Sequence, residues 1–170
     1  MQAAVTRSQK IYFFFRNSIF SSASMVVGDV ICQKIENKSK PIDWRRTFNF
    51  GITGLFVAGP IGHTINVVLE RLIPGATFKP VIYKTLCSNF ISVFTMSCLF
   101  SSICLLEGKG IKGCKEKCKR DIFPTWVVGN FVWIPYNIVQ YLFVPLYMRQ
   151  IVSSTFGTLW NIFLSNQAAK

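Results

Sequence analysis

Between Asp121 and Arg149 the chain runs 27 residues without a charge. A hydrocarbon core of about 30 Å is crossed by roughly 20 helical residues, so this stretch predicts a membrane-spanning helix. Pro124, Pro135 and Pro145 fall inside it, together with Asn130, Asn137 and Gln140. Each proline removes a backbone donor, and in a bilayer the carbonyl it frees must find a partner on a neighbouring helix or in a water-lined cavity. A plain anchor needs neither prolines nor amides, so the segment reads as a wall of a helical bundle. Trp133, Asn137 and Gln140 recur at steps of four and three and share one face, whereas Phe131, Ile138 and Leu142 lie on others.

The rest of the chain has the same character. Hydrophobic residues make up 51% of it, 16 of them Phe, and only 15% is charged, against about 25% in ordinary soluble domains. The net charge of +12 comes from lysines and arginines in the short segments between apolar runs, the distribution expected of membrane flanks. No zinc-finger spacing or RNP-like motif accompanies them, so no direct nucleic-acid contact is expected. The partners expected are membrane lipid and small polar or anionic solutes, and association with a second copy of the chain is compatible with the pattern.

Four spans are expected, at about residues 15–36, 47–70, 85–106 and 122–148, followed by a membrane-packed helix at about 149–165. The fold class is an all-α integral membrane bundle in a single domain covering 1–170. In the first span Phe20, Val27, Ile31 and Ile35 mark one face and Ser18, Ser22, Asp29 and Gln33 the other, a two-faced helix whose Asp29 has to face the bundle interior or water. Asp43 is placed to cap the next helix. In the second span Gly51, Gly54, Ala58 and Gly62 form a small-residue stripe that admits a close helix approach. Gly59 and Pro60 predict a hinge there, with the carbonyl of Phe56 freed next to the lone histidine, His63. Pro135 and Pro145 are the corresponding hinges of the fourth span.

In the third span Thr85, Ser88, Ser92, Thr95 and Ser102 form a hydroxyl stripe, which either bonds neighbouring helices or lines an aqueous path. The segment 107–121, with six basic residues and three glycines, reads as a cationic loop facing lipid headgroups, or drawing anions to a pore mouth. Its Cys114 and Cys118 have a spacing that admits a metal pair, but no second pair follows and the histidine is remote, which favours reduced thiols. No metal, cofactor or catalysis is expected, because one histidine, few acids and no nucleophile motif leave little to run chemistry with. With four spans, the segments 34–46 and 107–121 share a side and carry 11 basic residues against 8 elsewhere, a bias that places them toward the matrix or cytosol.

The order and spacing of these residues resemble the Mpv and 22-kilodalton peroxisomal membrane protein family of small four-span proteins. The resemblance rests on Gly28-Asp29 with Gln33, Asp43 with Arg45, Arg46 and Thr47, Gly51 and Gly54, and Gly59-Pro60 with His63. It continues through Leu69, Arg71 and Pro74-Gly75, then Asp121, Pro124, Trp133, Val144-Pro145, Arg149, Trp160-Asn161 and Leu164-Ser165. It departs at Ile65-Asn66, at Ser88-Asn89, and at Asn137 and Gln140, where that family favours other residues. It implies a protein of the mitochondrial inner membrane or the peroxisomal membrane, acting as a channel of low selectivity that supports metabolite homeostasis. Asp29, Gln33, His63, Ser88, Ser92, Thr95, Trp133, Asn137 and Gln140 are the candidates for a pore lining or a polar network. A non-conducting assembly protein is the other reading.

Overall fold

A computed structural model describes residues 6–36, 40–106, 108 and 110–168, and among them the chain is helical with no strand. The helices are α1 (Arg7–Glu36), α2 (Trp44–Thr53), α3 (Gly59–Leu72), α4 (Phe78–Leu106), α5 (Gly110–Phe143) and α6 (Leu146–Ala168). A π-helical turn, Gly54–Ala58, joins α2 to α3, so that Trp44–Leu72 is one continuous 29-residue rod. Two rods, Trp44–Leu72 and Phe78–Leu106, are long and apolar enough by length and composition to cross a membrane.

Most elements begin earlier than the uncharged runs suggest. Charges end a hydropathy run without ending a helix, so α1 starts at Arg7 rather than near residue 15, and α4 at Phe78 rather than 85. The expected basic loop is itself helical from Gly110 onward, forming the first turns of α5. Cys114 and Cys118 lie in this part, and their side chains are outside the described residues. Further corrections concern proline. Helix α5 runs through Pro124 and Pro135 unbroken, since one missing N–H and a modest bend are tolerable where neighbours hold the helix. The break comes instead at Val144 and Pro145, so the fourth rod ends at Phe143 and α6 begins at Leu146, not 149. The turns before α4 and α5 carry Gly75 at φ 104° and Gly108 at φ 75°, values that side-chain-bearing residues rarely adopt.

The chain forms two compact units, one made of residues up to His63 with those from Gln150 onward, the other of Thr64–Arg149. In the first, α1 packs along α2 and the π-helical turn and is hydrogen-bonded to α6. In the second, α4 and α5 pack along each other, and Leu69, Val81 and Tyr141 form a small core flanked by Ile65, Ile91, Ile138 and Leu142.

Candidate functional site

In the first unit the two-faced helix α1 turns its polar side inward. Asn17, Ser18, Ser21, Gly28, Asp29 and Cys32 are buried, while Ile19, Val27 and Ile31 are exposed. A water-soluble helix does the reverse; apolar-out and polar-in is what a lipid solvent selects. The close approach that permits this is made by glycines. A methyl group on Gly54 would fall 2.6 Å from the Cα of Ser22, and one on Gly59 would strike the Cα of Ser18, both backbone atoms. Gly51 faces Val26 and Ser22, and Gly62 faces the Gln150 amide.

The contact therefore runs Gly51, Gly54, Gly59, Gly62, with Gly59 in the place expected of Ala58. The cause is the π-helical turn. Pro60 has no N–H to bond the carbonyl of Phe56, and Gly59 donates to Gly54, five residues back; this wider turn absorbs one extra residue and shifts the small-residue row by one.

Asp29 is the centre of a buried network, its side chain wholly enclosed. Oδ1 accepts from Arg46 Nε at 2.8 Å, and Oδ2 from Thr47 Oγ1 and Gln33 Nε2 at 2.7 Å each. Gln33 is held in turn, its Oε1 accepting from the Asp43 backbone N–H at 2.7 Å. Asp43 caps α2 by accepting from Arg46 N at 3.1 Å, and Arg46 reaches Glu36 at 3.0 Å. Sequence reasoning thus brings Asp29 and Gln33 together. His63 belongs to another cluster of the same unit, with Nδ1 2.9 Å from Asn17 Nδ2 and Phe14 edge-on to its ring. Donation by the Asn17 amide leaves the ring proton on Nε2.

A third polar row went unread in the sequence. Gln150, Ser154 and Thr158 recur at steps of four on α6, and that spacing was the available signal. Ser154 Oγ meets Ser21 Oγ at 2.8 Å, Thr158 Oγ1 meets Ser24 Oγ at 2.6 Å, and Gln150 Nε2 donates to Ser21 at 3.1 Å. Gly28 gives Thr158 room, since a methyl group there would come within 3.1 Å of it.

In the second unit the hydroxyl stripe turns back on its own helix. Ser92 donates to the carbonyl of Asn89, Thr95 to Ile91 and Ser102 to Cys98, so these groups need neither a partner helix nor water. Ser88 is half-buried, and Thr85 is buried with its hydroxyl unpartnered. On α5, Asn137 and Gln140 are buried, with Tyr136 donating to Gln140 and Trp133 edge-on to Tyr136. Phe131 on another face is 82% exposed.

The second unit also holds an ionic cluster that sequence reasoning took for flanking charges. Lys84 is fully buried and Arg149 nearly so. Both donate to Glu70 Oε2, Lys84 Nζ at 2.7 Å and Arg149 Nη1 at 2.6 Å. Lys84 also reaches the carbonyl of Gly75 and Arg149 that of Val144, and both cations lie within 6 Å of the centre of the Tyr141 ring. Two buried cations share one carboxylate. The signal lay in the flanks, where Glu70, Lys84 and Arg149 sit just beyond apolar runs.

A family model described as Mpv17 / PMP22 matches residues 104–165. The mitochondrial inner membrane protein Mpv17 of Xenopus laevis is 30% identical over 157 residues, covering 89% of this chain and 88% of the relative. Peroxisomal membrane protein 2 of Bos taurus is 26% identical over 136 residues, covering 79% and 69%. A protein named PXMP2/4 family protein 3, of Dictyostelium discoideum, is 26% identical over 159 residues, covering 90% and 83%. No solved structure matches the chain. With apolar-out helices, two rods of spanning length and a 30% identical relative matched along nearly its whole length, the chain belongs to the Mpv17 / PMP22 family of organellar membrane proteins.

Proposed function

We propose that this chain is a channel-like protein that passes small polar or anionic solutes with low selectivity and so supports mitochondrial metabolite homeostasis. Its place is the mitochondrial inner membrane or, alternatively, the peroxisomal membrane, the locations in the names of the Xenopus and Bos relatives. The observation that carries the proposal is the inward turn of polar side chains in helices whose outer faces are apolar: Asn17, Ser21, Asp29, Asn137 and Gln140 are all buried. Hydroxyls and amides donate and accept without a charge, which suits polar solutes taken with little discrimination, and a net charge of +12 leans the entry toward anions. In this proposal α1, the rod Trp44–Leu72, α4 and α5 span, α6 packs within the membrane, and the chain performs no catalysis and touches no nucleic acid.

A specific observation favours the second reading, an assembly protein without a conduit. The α1 and α6 hydroxyls bond one another, and Asp29 is satisfied three times over. Two measurements separate the readings. Purified protein in liposomes should release entrapped small carboxylates and sugars faster than protein-free vesicles, with a size cut-off. Single cysteines at Asn137 and Gln140, in a background without native cysteines, should react with a water-soluble thiol reagent while cysteines at the outward-facing Phe131 and Val139 stay silent. No release above background, with silence at all four positions, establishes the assembly protein instead.

A further inference from the structure

We propose that the groove between α4 and α5 is a binding site for one anionic phospholipid of the surrounding membrane. The groove has a volume of about 780 Å³. On the α4 side Val93, Ser97, Ser101 and Leu105 line it at strict steps of four, a row roughly 18 Å long at 1.5 Å per residue. Its serines add little polarity, since Ser97 spends its hydroxyl on the carbonyl of Val93 at 2.8 Å and Ser101 is also engaged. From α5, Ile111, Ile122 and Phe123 complete an apolar lining, and Trp126 closes the far end, fixed there by its Nε1 donating to the carbonyl of Asn89 at 3.1 Å.

Among the described lining residues two are charged, and both are positive. Lys115 and Lys119 are exposed and stand four residues apart on one face of α5, and among the described residues lining the groove none is acidic. Their depth fits a headgroup. Helix α4 has 29 residues, roughly 43 Å, against a hydrocarbon core of about 30 Å, so its last turns rise into the headgroup zone. The lysines lie beside those turns.

The lining then selects its occupant by chemistry. A free anion would neutralise the lysines and leave Leu105, Ile111 and Phe123 uncovered, residues that are 54%, 80% and 68% exposed. A zwitterionic lipid would cover the apolar lining without adding net negative charge between two ammonium groups. An acyl chain joined to a phosphodiester of net negative charge does both.

The test is native mass spectrometry of the full chain released from micelles holding equal amounts of phosphatidylglycerol and phosphatidylcholine with identical acyl chains. The expected spectrum shows one retained lipid, with phosphatidylglycerol favoured about tenfold. Lys115→Gln with Lys119→Gln should abolish that preference, and Ser101→Phe, which fills the groove, should reduce retention of either lipid. Circular dichroism confirms that the variants remain helical; should Ser101→Phe not fold, displacement of phosphatidylglycerol from the wild-type chain by its single-chain lyso form, and not by glycerol phosphate, replaces it. Equal retention of the two lipids, a preference that survives the double lysine variant, or displacement by glycerol phosphate alone overturns the proposal.

Discussion

Glu70 offers one oxygen to both Lys84 and Arg149, so this cluster holds one positive charge in excess. Removal of its members should therefore be unequal in effect. Glu70→Gln strands two buried cations and should cost about 3–5 kcal/mol, as breaking a buried ion pair does. Lys84→Met leaves Glu70 and Arg149 as a balanced pair and forfeits chiefly the bond to Gly75, a loss of about 1 kcal/mol. Thermal unfolding in detergent, followed by circular dichroism, reads both; equal destabilisation would mean that the charge balance is not what holds the cluster. Asp29 is the mirror case, one acid with three donors from α1 and α2. Asp29→Asn keeps the shape but exchanges an acceptor for a donor facing other donors, and should cost about 1–3 kcal/mol. An unshifted unfolding midpoint would show that these bonds are made no better here than in the unfolded chain. At this scale Asp29 was legible beforehand because a lone acid in an apolar helix has to face inward. The Glu70 cluster was not, because charges at the ends of apolar runs look alike whether they reach out to headgroups or fold back over a ring.

Helices were legible in number and order from the uncharged runs, and less so in their ends, because Arg7, Lys79 and Lys112 continue a helix as readily as they flank a membrane. The glycine row along the second rod was legible as a motif and displaced by one position in fact. Spacing rules assume an unbroken period of 3.6 residues, and the turn that precedes Pro60 has a different period. Gly54 and Gly59 both face backbone atoms of α1, which cannot step aside as a side chain tip can. Gly54→Ala and Gly59→Ala should each cost about 1–3 kcal/mol by overpacking, with Gly28→Ala milder because its neighbour is the tip of Thr158. Melting temperatures of the three variants in one detergent check the ranking, and a Gly28→Ala variant less stable than the other two would reverse it. Helix α6 was undervalued for the same reason that it is interesting. Its Gln150, Ser154 and Thr158 lower the hydropathy of the run while forming its seam with α1.

Across the whole molecule, apolar side chains are spent outward. Phe94, near the middle of α4, is 64% exposed, and Phe78, at its start, is 71% exposed. Exposure is similar and depth is not. Phe94→Arg should cost about 2.5–3.5 kcal/mol of insertion, whereas Phe78→Arg, at the interface, should cost close to nothing. Translation into microsomes with glycosylation tags on either side of α4 measures both, and equal insertion of the two variants would remove α4 from the membrane. The π-helical turn acts over a comparable reach. Each residue of an α-helix advances the chain by about 100°, so the same residues wound as a regular helix between Thr53 and Gly59, with no wider turn to absorb the extra one, would leave the remainder rotated by that angle. Gly62 would leave the Gln150 amide and His63 would leave Asn17. The turn therefore works as a phase setting, and a relative that lacks it would align with this chain residue by residue while presenting different side chains at each place in space.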